Sequence, residues 1–207
     1  MGRITLSKTA LNEARQALKR YRQCVPALEM KRQQLMQQLS HLDTEHAQKT
    51  SELLQIDEWV KEHLPDQVWS HVDASALIRI ETFTLRQSSV LGVKMPVIDS
   101  LTLKANDFET LGSPMWLETL QLKLIEGLRC KLELRVLERQ KECVQLALKT
   151  TSQRLNLFEK IRIPETISRI RKIEIALSDQ ERAAVVIAKI AKQKQQRAHQ
   201  ALQGGGL

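Results

Sequence analysis

The sequence has few aromatic, glycine and proline residues, which argues against a globular domain. Its 207 residues include three Trp, three Phe and one Tyr, few anchors for a large core. Seven Gly, three of them in the terminal run 204–206, and five Pro leave few positions that favour loops. Leu, Gln, Lys, Arg, Glu and Ala are abundant, a composition typical of long helices and coiled coils. The chain is therefore predicted to be dominated by α-helix.

Long hydrophobic runs are also missing. No stretch approaches eighteen uncharged apolar residues, so no transmembrane helix is predicted. The residues after Met1 lack the apolar core of a secretory signal. Met1-Gly2 could begin a myristoylation motif, but position 6 is Leu6 rather than Ser or Thr, which disfavours it.

The three cysteines do not form a recognisable pair. Cys24, Cys130 and Cys143 are odd in number and far apart, with no metal-ligand spacing. Reduced thiols in a cytosolic protein are the favoured interpretation. Cys24 has no histidine partner in local register, so a small apolar filler is favoured over a nucleophile.

No catalytic, cofactor or metal site is predicted. Neither GxxxxGK[ST] nor GxGxxG occurs. His41 and His46 lie near Asp43 and Glu45, but a spacing of five does not place both imidazoles on one helix face. They are interpreted as polar surface residues.

The first segment, residues 1–64, shows the pattern of a coiled-coil helix. Steps of three and four residues connect its seam, which only Ser7, Arg32, His46 and Lys49 interrupt with polar side chains. The seam comprises Ile4, Ser7, Leu11, Ala14, Leu18, Tyr21, Val25, Leu28, Arg32, Leu35, Leu39, Leu42, His46, Lys49, Leu53, Ile56 and Val60. Pro26 is expected to bend this helix. Pro65 is expected to end it near Leu64.

Residues 65–114 form a middle region with β character. Over residues 78–85, β-branched residues (Ile78, Ile80, Thr82, Thr84) alternate with other residues, a period of two that predicts a strand, and a second candidate strand covers 97–103. These strands predict a β-hairpin whose connection, about eight to twelve residues long, includes Ser88–Pro96. Ser113 and Pro114 then suit the cap and first position of a new helix. Trp59, Trp69 and Trp116 flank this region, and packing of the turn against the helices is favoured over a ligand cage.

Residues 115–203 form the second predicted coiled-coil helix, and 204–207 a flexible tail. The seam near the C-terminus contains Leu155, Phe158, Ile163, Ile167, Ile170, Ile173 and Leu177. An extra residue between Phe158 and Ile163, beside Pro164, is a phase shift that predicts a local change of supercoil. Beyond Leu177 the seam becomes Ala184, Ala188, Ala191 and Ala198, which would let a partner helix come close. The predicted fold is a long antiparallel two-helix coiled coil with a small β-hairpin insertion at the turn.

The net charge of +8 is concentrated near both termini. Residues 3–32 contain eight bases and two acids, and residues 182–207 contain five bases and no acid. These runs predict an electronegative partner, either nucleic acid or a protein cavity with acidic or carbonyl-rich walls. Interleaved aromatic residues are missing apart from Tyr21, and no recognition helix is visible. The predicted partner contacts are Arg3, Lys8, Arg15, Lys19, Arg20, Arg182, Lys189, Lys192, Lys194 and Arg197.

Three stretches together resemble the D subunit of V-type (vacuolar/archaeal-type) rotary ATPases, in a bacterial form. The first runs from Leu6 to Arg20 and continues at Lys31–Leu35, and the second is Gly92–Ile98. The third is Arg154–Glu165, containing Ile163-Pro164, followed by a helix that includes Asp179–Ala183 and ends in a basic tail. Their order and spacing agree with the family over essentially the whole chain. The Ala-Val-Val-Ile-Ala stretch at 184–188 departs from the family's usual pattern.

The resemblance implies a non-catalytic rotor shaft that couples ATP hydrolysis or synthesis to ion transport. Its implied partners are the catalytic A and regulatory B subunits, the small F subunit and the socket subunit of the membrane ring. It implies a peripheral location on the cytoplasmic side of the membrane, with no cofactor and no nucleotide bound by this chain. The alternative function is a coiled-coil adaptor or nucleic-acid-binding helical rod with basic ends.

Overall fold

The computed structural model describes residues 5–63, 77–106 and 115–203. These residues form three helices and one antiparallel pair of strands, in the order α1 Lys8–His63, β1 Ile78–Val90, β2 Val93–Ala105, α2 Met115–Leu157 and α3 Ile163–Gln203, with a π-helical turn at Phe158–Arg162 between α2 and α3. The predicted fold class of long helices with a small β-hairpin between them is confirmed. The predictions for Arg3, Pro65, Trp69, Ser113 and Pro114 fall outside the described residues.

The chain divides into two compact units. The terminal unit contains residues 1–29 and 153–207, and the hairpin unit contains residues 30–152. Each unit takes part of α1, so each contains an antiparallel pair of helical segments.

In the terminal unit, the start of α1 lies beside α3. The Ser7 hydroxyl caps α1 by accepting a 3.1 Å hydrogen bond from the Ala10 amide. An Arg15 guanidinium nitrogen lies 2.6 Å from a Glu174 carboxylate oxygen, and Lys8 Nζ lies 3.8 Å from Glu181. Residue numbers increase from Lys8 to Arg15 along α1, while those of their partners in α3 decrease from Glu181 to Glu174. The two segments are therefore antiparallel.

The phase shift predicted beside Pro164 takes the form of the π-helical turn. The Ile163 amide donates to the Phe158 carbonyl, five residues earlier. Pro164 has no amide hydrogen, so it cannot supply the α-helical bond to the Lys160 carbonyl. The wider turn accommodates one extra residue, as π-bulges do.

After the π-helical turn, the predicted seam of α3 is confirmed at every position from Ile163 to Leu177 but one. Ile173 is fully buried, and Ile163, Ile170 and Leu177 are half-buried. The prediction that Ile167 belongs to the seam is wrong, because this side chain is 43% exposed. Thr166 is half-buried instead, with its hydroxyl donating to the Arg162 carbonyl at 2.7 Å.

In the hairpin unit, α1 packs antiparallel to α2 around two apolar clusters. One contains Val60, Leu77 and Leu120, with Trp59 and Trp116 packed against it. The packing interpretation of these two tryptophans is therefore confirmed. The other cluster joins α1, β2 and α2 through Leu35, Leu42, Met95 and Val144.

Ion pairs between α1 and α2 flank these clusters. Asp43 lies 2.7 Å from Lys141, and Lys49 lies 3.0 Å from Glu133. Hydrogen bonds from Lys49 to Glu52 and then to Glu133 raise the pKa of the Lys49 ammonium above its ordinary value. Lys49 therefore remains charged inside a seam position that the heptad pattern assigns to an apolar residue.

The predicted seam of α1 is confirmed along nearly its whole described length. Every predicted seam position from Leu11 to Val60 is buried or half-buried except Arg32, which is exposed. Pro26 lies inside α1 without ending it.

The hairpin is longer and more tightly connected than predicted. The strands pair continuously up to Val90 and Val93, so only Leu91 and Gly92 form the turn. The predicted connection of eight to twelve residues is therefore wrong. Ser88–Pro96 contains loop-forming residues, but each strand of a two-stranded sheet has one unpaired edge, which tolerates a proline.

Leu91 occupies a position that disfavours its side chain. The φ angles of Leu91 and Gly92 are 54° and 75°, as two-residue hairpin turns of type I′ require. A left-handed conformation brings the Cβ atom of most residues close to the following carbonyl oxygen and costs roughly 1–2 kcal/mol, whereas Asn can hydrogen-bond locally there. Leu91→Asn is therefore expected to raise the free energy of unfolding of the hairpin unit by about 1 kcal/mol, measured by urea titration.

The matched control for this change is Leu91→Ala. Alanine removes the larger side chain but lacks the polar group with which asparagine hydrogen-bonds locally at positive φ, so it should not give the same gain. Equal stability of the Asn and Ala variants would contradict the backbone explanation.

Candidate partner-binding site

Residues 182–197 of α3, called the distal segment here, extend beyond the start of α1. The first α1 residue, Lys8, lies beside Glu181, and α3 continues from there to Gln203. At 1.5 Å per residue, the helix beyond Glu181 is roughly 33 Å long. Every residue of the distal segment is exposed. The predicted close partner helix for its alanine seam is therefore not found among the described residues.

Much of the exposed distal segment is apolar. Val185 is 68% exposed, Ile187 66% and Ile190 49%. Some of these residues form one apolar stripe, because steps of three and four residues along a helix return to the same side. The stripe consists of Ala183, Val186, Ile187 and Ile190.

The alanines form a second apolar strip along the same helix. Ala184, Ala188 and Ala191 continue the spacing of the buried α3 seam, and their small side chains keep this side of the helix thin. A helix that is apolar over most of its circumference is usually buried by other protein. The distal segment therefore has the surface of a helix enclosed by a partner.

The basic residues of the distal segment occupy the remaining side and the end. Arg182, Lys189 and Lys192 are seven and three residues apart and share one side of the helix. Lys194 and Arg197 follow the apolar stripe towards the C-terminus. Among the described side chains from 182 to 197 there is no carboxylate, and Arg182 lies 3.8 Å from Asp179 just before the segment.

Apart from Arg3, which lies outside the described residues, the other predicted contact residues lie in the N-terminal part of α1. Lys8 and Arg15 pair with Glu181 and Glu174 of the same chain. Such exposed pairs are worth no more than about 1 kcal/mol, so they can be exchanged for a partner's carboxylates. Lys19 and Arg20 are exposed, and Arg20 lines a groove that also contains Tyr21 and Arg162. Contact of these residues with a partner stays a prediction.

The partner contacts predicted from the sequence are all basic residues, and the apolar side chains between them were not included. The run Ala184-Val-Val-Ile-Ala188, which has no polar residue, could have indicated an apolar contact surface. In a coiled coil such a run would lie partly in a seam. In the structure α1 begins too late to cover it, and its whole circumference is exposed.

Cys24 and Cys130 differ in burial, and His41 and His46 each lie near a different carboxylate. Cys24 is exposed, so the prediction that it fills an apolar gap is wrong. Cys130 is buried, its thiol donates to the Lys49 carbonyl at 3.1 Å, and burial raises its pKa. His41 Nδ1 lies 3.5 Å from Glu45, and His46 Nε2 lies 3.8 Å from Glu138 on α2.

Within the described ranges, no helix has both the length and the apolar character needed to cross a bilayer.

Comparison with known proteins assigns the chain to a family. The family model for the D subunit of ATP synthase matches residues 10–193. The V-type ATP synthase D subunit from Borreliella burgdorferi is 31% identical over 199 residues, which cover 93% of this chain and 95% of that protein. The V-type ATP synthase D subunits of Chlamydia caviae and Chlamydia abortus are each 31% identical over 197 residues, covering 92% of this chain and 93% of each relative. Because the matches include both units, the chain belongs to the family of V-type ATP synthase D subunits.

Proposed function

We propose that this chain is the central rotor shaft of a V-type rotary ATPase or ATP synthase. As a non-catalytic subunit, it would couple ATP hydrolysis or synthesis in a ring of A and B subunits to ion transport across the membrane. The observation that carries this proposal is the distal segment, an exposed helix with a mostly apolar circumference and five basic residues. Family membership supplies the complex in which such a helix would be enclosed.

The chemistry of the distal segment suits insertion into a protein ring. Its apolar stripe would lose unfavourable contact with water, at about 25 cal/mol for each Å² covered. Arg182, Lys189 and Lys192 would face carboxylates or backbone carbonyls of the surrounding subunits. Alanine at 184, 188 and 191 keeps one side of the helix thin enough to turn in a narrow opening.

Coupling would follow from the asymmetry of this helix. With Arg182, Lys189 and Lys192 on one side and the apolar stripe on another, each rotational position would present a different surface to the surrounding catalytic subunits. Nucleotide state would then bias the angle of the shaft, and the angle would bias nucleotide affinity by the same coupling free energy.

We further propose that the hairpin unit connects the shaft to the rest of the rotor. It would bind the small F subunit and the socket subunit of the membrane ring, on the cytoplasmic side of the membrane. The chain itself would bind no nucleotide.

The experiment that tests this function places charge in the apolar stripe. The double variant Val186→Asp, Ile190→Asp should bind a purified ring of A and B subunits at least about tenfold more weakly, because it would bury two carboxylates in an apolar contact. The measurement is a titration of the full chain, with its F partner, against the ring.

The control variant is Gln193→Asp, Gln196→Asp, which adds the same charge on the polar side of the segment. We expect its affinity to remain within about threefold of the parent, since rim contacts contribute little to binding. Equal loss in both variants would indicate a purely electrostatic contact. Binding to nucleic acid at physiological salt, with a steep salt dependence, would favour the adaptor or nucleic-acid-binding function instead.

A further inference from the structure

The β-hairpin carries an apolar ladder on one face. Three successive cross-strand pairs are apolar, namely Ile80 with Leu103, Phe83 with Leu101 and Leu85 with Ile98. Residues that pair across a sheet share a face. The next pairs on the opposite face, Thr82 with Thr102 and Thr84 with Ser100, are polar.

Two irregularities in the pairing keep this ladder on one face. The register shifts between Ile80 and Thr82, where Glu81 is the extra residue, and again beside Asp99 on β2. An extra residue reverses the alternation of side chains along its strand. Without the shift at Glu81, Ile80 and Phe83 would point to opposite faces.

Part of this ladder faces α2 across a groove. The hairpin is attached near both of its ends, because Ile78 packs against Val60 and Leu120 while Met95 packs with Leu35 and Val144.

Between these attachments lies a groove of about 530 Å³. Phe83 and Leu85 of β1 form one wall, and Leu132 and Val136 of α2 form the other. Leu85 is 51% exposed, so this apolar surface is open to solvent.

The charges around the groove have one sign. Lys94, Arg135 and Arg139 line it, and no carboxylate is among the described residues that line it. Glu142 pairs with Arg139 at 2.5 Å from outside that lining and offsets one of these charges, so the groove retains the net positive charge of Lys94 and Arg135.

We propose that this groove binds a segment of a partner protein that carries apolar side chains flanked by carboxylates. The apolar side chains would contact Phe83, Leu85 and Val136, and the carboxylates would pair with Arg135 and Arg139. Arginine suits this role because its guanidinium binds a carboxylate through two parallel hydrogen bonds. The proposal rests on, and deepens, the assignment of the hairpin unit to partner binding, whereas the rotor shaft function is carried by the distal segment.

Charge argues against a second copy of this chain as the occupant. Its exposed apolar helix, the distal segment, is itself basic and would meet like charge in the groove. The concave apolar walls also suit an inserted side chain better than a flat lipid surface or the backbone of a nucleic acid.

The experiment uses a photoreactive amino acid, p-benzoylphenylalanine, in the full chain within its membrane-bound complex. It replaces Gln87, which is exposed and lines the groove, or Thr102, which is exposed on the opposite face of the hairpin. We expect a discrete cross-linked protein only from position 87. Mass spectrometry of the joined peptide should show an acidic segment with apolar residues.

Two sets of substitutions then test the walls and the charges separately. Leu85→Asp and the double variant Arg135→Glu, Arg139→Glu should each lower the cross-linked yield at position 87 at least about tenfold. Leu122→Asp changes an equally exposed leucine of α2 and should leave the yield unchanged.

Several outcomes would overturn the proposal. They are no adduct at position 87, equal adducts from both positions, or a joined peptide that is basic or belongs to this chain or a second copy of it. Cross-linking to lipid or nucleic acid would also overturn it. Ion transport by the same membranes is measured in parallel, so loss of the adduct with normal transport separates this groove from the rotor function.

Discussion

Deletion of Arg182–Leu202 is expected to weaken strongly the coupling of ATP hydrolysis to ion transport in the assembled complex. The deletion removes the part of α3 that extends past α1, together with its apolar stripe and its basic residues. What remains of the shaft would end near the Lys8–Glu181 pair. Without a helix inside the ring, nucleotide state would have no surface through which to turn the rotor. We expect the number of ions moved per ATP hydrolysed to fall at least about tenfold, as for loss of a dominant binding contact.

The measurement is ion transport and ATP hydrolysis in the same membrane vesicles. Deletion of Gly204–Leu207 is the control, because it shortens the same terminus but retains the distal segment; its transport should match that of the parent. Full ATP-driven transport without Arg182–Leu202 would refute the assignment of the distal segment. Residual ATP hydrolysis without transport would instead agree with it, since catalysis is assigned to other subunits.

Much of the helical architecture follows from the sequence because one face of each helix is buried. The spacing of Leu35, Leu39 and Leu42 in α1 predicts a buried seam, and these side chains are buried or half-buried in the structure. The location of the π-helical turn follows from the sequence as well, although the sequence predicts a change of supercoil there and not its form. Pro164 lacks an amide hydrogen, and the apolar spacing gains one residue just before it.

One position of the α3 seam was not predictable from heptad spacing. The sequence places Ile163, Ile167, Ile170 and Ile173 in the seam, and the structure buries or half-buries all of them except Ile167. Steps of three and four residues allow either residue 166 or residue 167 between Ile163 and Ile170. The structure half-buries Thr166 there, so a polar residue takes the position that the apolar pattern assigns to its neighbour.

The groove of the hairpin unit was hidden from the sequence for a similar reason. Alternation of residues assumes regular pairing, whereas Glu81 and Asp99 each add a residue to one strand. Ser88, Gly92 and Pro96 together suggest a loop, yet the strands pair through most of that region. Long-range pairing therefore determines the apolar ladder, and local composition does not reveal it.

Charge and exposure had to be combined to identify the candidate site. Basic residues near both termini were visible in the sequence, but several of them pair within the chain, as Arg15 does with Glu174. The distal segment differs because α1 does not reach it. This absence of cover depends on where α1 begins, and the Ser7 cap fixes that position.

Leu35→Asp is expected to cause the largest loss of stability in the hairpin unit. The Leu35 side chain is 0% exposed and packs with Leu42, Met95 and Val144, which join α1, β2 and α2. Loss of a buried leucine side chain alone costs about 2–5 kcal/mol. An unpaired carboxylate in the same cluster adds a desolvation penalty. We expect the free energy of unfolding to fall by about 4 kcal/mol or more, measured by urea denaturation of the full chain.

The matched control is Met36→Asp, the next residue on the same helix. Met36 is 55% exposed, so this variant has the same lower helix propensity but buries no charge. It should lose less than about 1 kcal/mol. Acidic pH should reduce the difference between the two variants, because protonation of the buried carboxyl removes most of its desolvation penalty. An unchanged unfolding curve for Leu35→Asp, or equal losses for both variants, would show that this seam is wrongly placed.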